Sequence, residues 1–115
     1  MQRNPRSYLW DVREAIDAIL EFIGEVNFET YTASPLIHSA VERKFEIIGE
    51  ALGLLSKSNP ELAMRIPEIA RIIAFRNLLI HGYAVVEHAR VWAIAKEAMP
   101  GLRVAVDALL TELEA

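Results

Sequence analysis

At 115 residues without a cysteine, the chain has the length of one domain, spanning 1–115, and is free of disulfides and thiolate metal sites. A formal net charge of −4 with the acids spread along the chain argues against a broad DNA-binding surface, whereas a local cationic pocket for RNA needs only a few well-placed charges. Hydrophobic residues make up 53%, a surplus for so short a soluble chain, which predicts that some of them are buried against a second copy.

The basic start at Arg3 and Arg6 runs into Asp11, Arg13 and Glu14 rather than an apolar stretch, so no signal peptide is expected. No segment approaches the roughly 18 uninterrupted apolar residues of a membrane span. The expectation is a cytoplasmic protein with no membrane partner.

The first segment carries Leu9, Val12, Ile16, Ile19, Leu20 and Ile23 at three- and four-residue steps, with Asp11, Glu14, Asp17 and Glu21 opposite and Gly24 as a stop, an amphipathic helix. Residues 25–33 lack a period and read as a connection. Ser34-Pro35 reads as an N-cap followed by proline in the first turn. The helix they open bears Ile37, Val41, Phe45, Ile48, Leu52 and Leu55, and Ala40, Ile47, Ala51 and Leu54 widen that stripe. Such a helix contacts neighbours on two sides. Ser58-Asn59-Pro60 ends it or begins a short turn.

Pro67 is expected to start the most apolar helix, which runs through Ile69, Ile72, Ile73, Phe75, Leu78, Leu79 and Ile80. Its circumference is apolar except near Arg71, Arg76 and Asn77, the pattern of a central helix, and Gly82 follows as a cap. Val91, Trp92, Ile94 and Ala95 come next, then a stripe of Leu102, Val106, Leu109 and Leu113. Pro100 either starts a new helix or kinks a continuing one. Nothing alternates as a strand would, so the fold class is all-α, an antiparallel bundle of four to five helices.

Arg76, Asn77 and His81 stand out because polar and charged groups on so apolar a helix are costly unless they are paired or face a cavity or interface. Asn77 and His81, four apart, share a face. Arg76 and His81, five apart, lie about 140° apart around an ideal helix, so they converge only in a distorted last turn or across two copies. A structural reading stands beside the functional one: Arg76 as ion-pair partner of Glu46 or Glu50, and His81 as a group favoured by the negative end of the helix dipole.

The string Arg76-Asn77-Leu78-Leu79-Ile80-His81-Gly82-Tyr83 resembles the R-x4-H-x-Y motif of the HepT toxins within the HEPN superfamily. The resemblance extends over nearly the whole chain, through Glu42-Arg43, Ile47-Ile48-Gly49-Glu50-Ala51 and Val91-Trp92. It implies a metal-independent endoribonuclease toxin, with RNA as substrate and no cofactor, whose site forms where two protomers of a homodimer bring their motifs together. Arg76 and His81 would be catalytic, the histidine moving protons and the arginine holding phosphate, with Asn77 and Glu50 in support. The resemblance also implies a cognate nucleotidyltransferase antitoxin that transfers AMP to Tyr83. A different class of function is a non-catalytic helical dimer that binds a nucleotidyltransferase: Arg76, His81 and Tyr83 favour the enzyme, the acidic balance mildly favours the module, and a purely structural dimer would leave the motif unexplained.

The remaining histidines, His38 and His88, form no ligand-spaced pair in sequence and are expected at the surface, so no metal site is expected. Trp10 and Trp92 are expected as core or interface anchors.

Overall fold

Three helices begin with the same two-residue signal, a polar cap and then a proline. In the computed structural model, which describes residues 3–114, the side-chain oxygens of Asn4, Ser34 and Asn59 accept hydrogen bonds from the backbone N–H groups of Arg6, Ile37 and Leu62. Pro5, Pro35 and Pro60 each occupy the first helical position. The cap satisfies an otherwise orphaned donor, and proline is tolerated there because its missing N–H would have had no intrahelical partner. The ends of the expected 1–115 domain, Met1, Gln2 and Ala115, lie outside the described residues.

The elements are α1 (Pro5–Gly24), α2 (Phe28–Ala33), α3 (Pro35–Ser58), α4 (Pro60–Ala63), α5 (Ile69–His81), a 3-10 turn (Tyr83–Val85), α6 (His88–Glu97) and α7 (Met99–Glu114). The described residues contain no strand, and the class is all-α. Five helices have ten residues or more. Two local features differ from the sequence expectation, and the choice left open at Pro100 is decided. Residues 28–33 form the short helix α2 rather than a plain connection, because the Asn27 side chain caps it at Thr30. The most apolar helix starts at Ile69, after Glu68 turns through a left-handed conformation with φ 57°, an uncommon one for a residue with a Cβ. Pro100 lies in the first turn of a separate helix, α7, which follows α6 directly.

The packing forms a row, with α3 and α1 in the middle, α5 on the outer side of α3, and α7 against α1. Leu9, Val12, Ile16 and Ile19 of α1 meet Val41, Phe45, Ile48 and Leu52 of α3, and Leu102, Val106 and Leu109 of α7 complete the core. Arg103 of α7 adds polar ties, reaching Asp17 of α1 at 2.7 Å and Asp107 of its own helix. Among the described residues no helix is long and apolar enough to cross a membrane.

The expectation of a central α5 is corrected. Only Ile72, Phe75 and Leu79 of α5 are buried, while Ala70 and Ala74 are exposed and Ile69, Ile73, Leu78 and Ile80 are half-buried. Its apolar circumference exceeds what one neighbouring helix can cover, because α5 leans on α3 and stands at the end of the row.

Candidate active site

Arg76 reaches its position through a glycine. A Cβ on Gly49 would overlap the Arg76 Cβ and Cγ and stand 3.5 Å from the Arg76 Cα, so α5 crosses α3 at closer range than any larger residue at 49 permits. Phe45 and Phe75 hold the same crossing, their rings edge to face with centroids 5.3 Å apart. Above it opens a cleft of about 380 Å³ lined by Gly49, Glu50, Gly53, Lys57, Arg76 and Asn77, among others.

The Arg76 guanidinium has no counter-ion among the described ion pairs. The structural reading that pairs it with Glu46 or Glu50 is corrected: Glu46 takes Arg43 at 3.5 Å, and Glu50 lines the cleft without bonding Arg76. Arg76 Nη1 donates to Asn77 Oδ1 at 3.2 Å, and its buried Nε has no partner. A permanently charged fork is therefore steadied by an amide and left with donors to spend on an anion. Three of the expected site residues, Arg76, Asn77 and Glu50, surround one cleft.

His81 stands apart from it. As the last residue of α5 it is exposed, and the Gly82 N–H continues the helical pattern by donating to the Leu78 carbonyl at 2.7 Å. The last turn is thus regular, and the offset of about 140° between Arg76 and His81 persists. Of the two routes to convergence, a distorted last turn is not taken in this chain. Gly82 itself is the C-cap with φ −119°, so it closes the helix without a left-handed backbone. Tyr83 follows in the 3-10 turn with 77% of its surface exposed.

The expectation for the other two histidines is corrected. His38 and His88 are partly buried, not open surface residues, and their ring centroids lie 4.2 Å apart. Glu42, one turn beyond His38 on α3, completes a group whose ligand atoms all lie within 4.8 Å of one another. Tyr31 packs edge-on against both imidazoles, and burial, then the Glu42 carboxylate, push its phenol well above its ordinary range. Residues fifty apart meet here because α2 and the start of α6 fold over the first turns of α3. The four-residue spacing of His38 and Glu42 is the only local signal of it. Trp92 packs on Tyr31 and Phe28 at 5.1 and 5.9 Å, as an interior anchor does, whereas Trp10 is 41% exposed beneath the Arg13 guanidinium.

A family model described as "Ribonuclease HepT-like" matches residues 12–109. The "Probable ribonuclease HepT" of Thermococcus cleftensis is 38% identical over 105 residues, covering 90% of this chain and 93% of that one. A "Putative RNase" of Caldanaerobacter subterraneus subsp. tengcongensis is 30% identical, covering 94% and 96%. Another of that name from Methanocaldococcus jannaschii is 28% identical, covering 92% and 96%. No solved structure matches the chain. With the family match spanning most of its length and several relatives aligned nearly end to end, the chain belongs to the ribonuclease HepT-like family.

Proposed function

We propose that the protein is an endoribonuclease toxin whose working site joins the Arg76 cleft of one copy to His81 of a second. The observation that carries this reading is the Arg76 guanidinium, held at a cleft on Gly49 and Asn77 with no carboxylate partner. Family membership and the ribonuclease names of the relatives supply the substrate class, RNA. The half-covered apolar flank of α5 supports a homodimer, in which the two α5 helices face each other and His81 approaches the partner's cleft.

The chemistry follows from the groups. One imidazole takes the proton of an RNA 2′-hydroxyl, whose oxygen bonds to the adjacent phosphorus. The bond from phosphorus to the 5′-oxygen breaks, and a protonated imidazole gives that oxygen its proton, leaving a 2′,3′-cyclic phosphate and a 5′-hydroxyl. The His81 of the second copy serves first as base and then, once protonated, as acid, so each composite site needs one His81. Arg76 holds the phosphate and stabilises its growing charge, Asn77 orients Arg76, and Glu50 shapes the cleft. The attacking oxygen comes from the RNA itself, so no metal-bound water is required.

Tyr83, exposed and two residues from His81, is suited to modification by a cognate nucleotidyltransferase antitoxin. An added AMP would bring a phosphodiester charge beside a site that receives RNA phosphate.

The test is cleavage of RNA by purified protein in a metal chelator. Arg76→Ala and His81→Ala should each lower the rate by about 10²–10⁴-fold with the far-ultraviolet circular dichroism unchanged. Equal mixtures of the two inactive variants should regain partial activity, because a mixed dimer contains one intact composite site. Near-full activity of His81→Ala would sink the proton-transfer role. Tyr83→Phe should remain active and escape silencing by the nucleotidyltransferase, and an adduct on that variant would defeat the assignment to Tyr83.

A further inference from the structure

We propose that His38, Glu42 and His88 form a transition-metal site, of the zinc class, that fastens the start of α6 to the first turns of α3. The inference is independent of the ribonuclease reading, because none of these residues lines the Arg76 cleft.

The geometry comes first. Zinc held tetrahedrally at about 2.0–2.2 Å needs donor atoms about 3.3–3.6 Å apart. His38 Nδ1 and Glu42 Oε2 are 3.6 Å apart, and all three donors lie within 4.8 Å of one another, so small side-chain rotations close the set. His38 and Glu42 stand one helical turn apart on one face, where two ligands on a helix must be. Their side chains are only 18% and 26% exposed, and the His38, Glu42 and His88 group is covered by a fully buried Tyr31.

The second observation is an unmet demand for partners. Of the four buried side-chain polar atoms without a hydrogen bond among the described residues, three are here: His38 Nδ1, His88 Nδ1 and Tyr31 Oη. Buried polar atoms are seldom left alone, because an unsatisfied one keeps the full cost of leaving water. The two imidazoles lie with centroids 4.2 Å apart, yet neither Nδ1 hydrogen-bonds the other ring, and two charged imidazoles would repel. A divalent cation takes a lone pair from each, and the Glu42 carboxylate offsets its charge. Two imidazole nitrogens and one carboxylate oxygen suit Zn²⁺, Co²⁺ or Ni²⁺ rather than the all-oxygen preference of Mg²⁺ and Ca²⁺. Three protein donors leave a fourth position for water.

Placement gives the site its consequence. His38, Glu42, Gly49 and Gly53 fall within about 60° of arc on α3, and Glu42 is about 10 Å along the axis from Gly49. The metal therefore lies on the face that carries the Arg76 cleft, nearer the start of α3. Residues 82–87, including Tyr83, run from the end of α5 to His88 at the start of α6. A bound ion would tie down the far end of that loop.

The chain has three histidines and no cysteine, so a binding experiment assigns the site cleanly. Tag-free, metal-stripped full-length protein is titrated with Zn²⁺ by calorimetry, and with Co²⁺ by visible absorption. One ion per chain is expected, with intense tetrahedral-type Co²⁺ bands, a raised Tm with Zn²⁺ and none with Mg²⁺. His38→Gln, Glu42→Gln and His88→Gln should each weaken Zn²⁺ binding at least tenfold, whereas His81→Gln should bind as the parent does. Absence of Zn²⁺ binding to the parent protein would overturn the site whatever the variants do. So would unchanged affinity in His38→Gln and His88→Gln, or loss of binding in His81→Gln. Circular dichroism of each variant separates a lost ligand from a lost fold, and the Co²⁺ spectrum of the parent needs no variant at all.

Discussion

The pair α1–α3 and the helix α5 are built from similar apolar residues and end differently. In α1 and α3, Leu9, Val12, Ile16, Ile19, Val41, Ile48 and Leu52 are sealed from solvent. In α5, which is more apolar around its circumference, three side chains are buried and the flanks stay half open. The difference is position in the row: α1 and α3 have neighbours on both sides, α5 on one. An apolar surface that the chain does not cover is retained either at a cost in solubility or for an occupant, and here it borders the residues that carry the proposed chemistry.

The sharpest way to break the comparison is to cut into each region and compare the results. Leu52→Ala, which empties a sealed site between helices, should destabilise the fold by about 2–5 kcal/mol, measured by urea unfolding. Ile80→Asp should leave the fold within about 1 kcal/mol of the parent, and sedimentation should show dimer converted to monomer with RNA cleavage lost. If Ile80→Asp unfolds the protein as Leu52→Ala does, α5 is core and the comparison fails.

A smaller effect is expected where the two regions touch. Gly49→Ala gains about 1 kcal/mol of helix propensity, but its methyl overlaps Arg76 next to the backbone, where no flexible end can swing away. Overpacking of this kind costs about 1–3 kcal/mol, so a net loss of about 1 kcal/mol is expected. Displacement of Arg76 should lower cleavage more than stability. A variant as active as the parent would show that the close crossing does not set the site.

The smallest effect belongs to a surface tie outside both regions. Arg65 holds Glu112 of α7 with two hydrogen bonds, at 2.9 and 2.5 Å, and those bonds, with the nearby positive charge, hold the Glu112 carboxyl below the usual glutamate range. A carboxyl depressed on folding adds stability above its unfolded value and loses it as the pH falls through the folded one. Glu112→Gln should therefore lower Tm slightly at neutral pH and not at all in acid. Both groups are exposed, so added salt should erase the difference.

The helical class was legible from residue periods, and the start of α3 from the pair Ser34-Pro35, because both act within one turn of chain. Arg76, Asn77 and His81 stand out as candidates for the same local reason: polar groups interrupt an apolar helix, in a string of eight residues that resembles the HepT motif. Nothing local reveals which flank of α5 is covered, since that depends on how many neighbours the row supplies. Nor does the string show that Gly49 lets Arg76 settle on α3, because the contact joins helices 27 positions apart in sequence. The meeting of His38 and Glu42 with His88 was likewise decided by tertiary structure. Two of the three share a helix face by spacing alone, but the third arrives only when α6 folds back over α3, and no periodicity records that return.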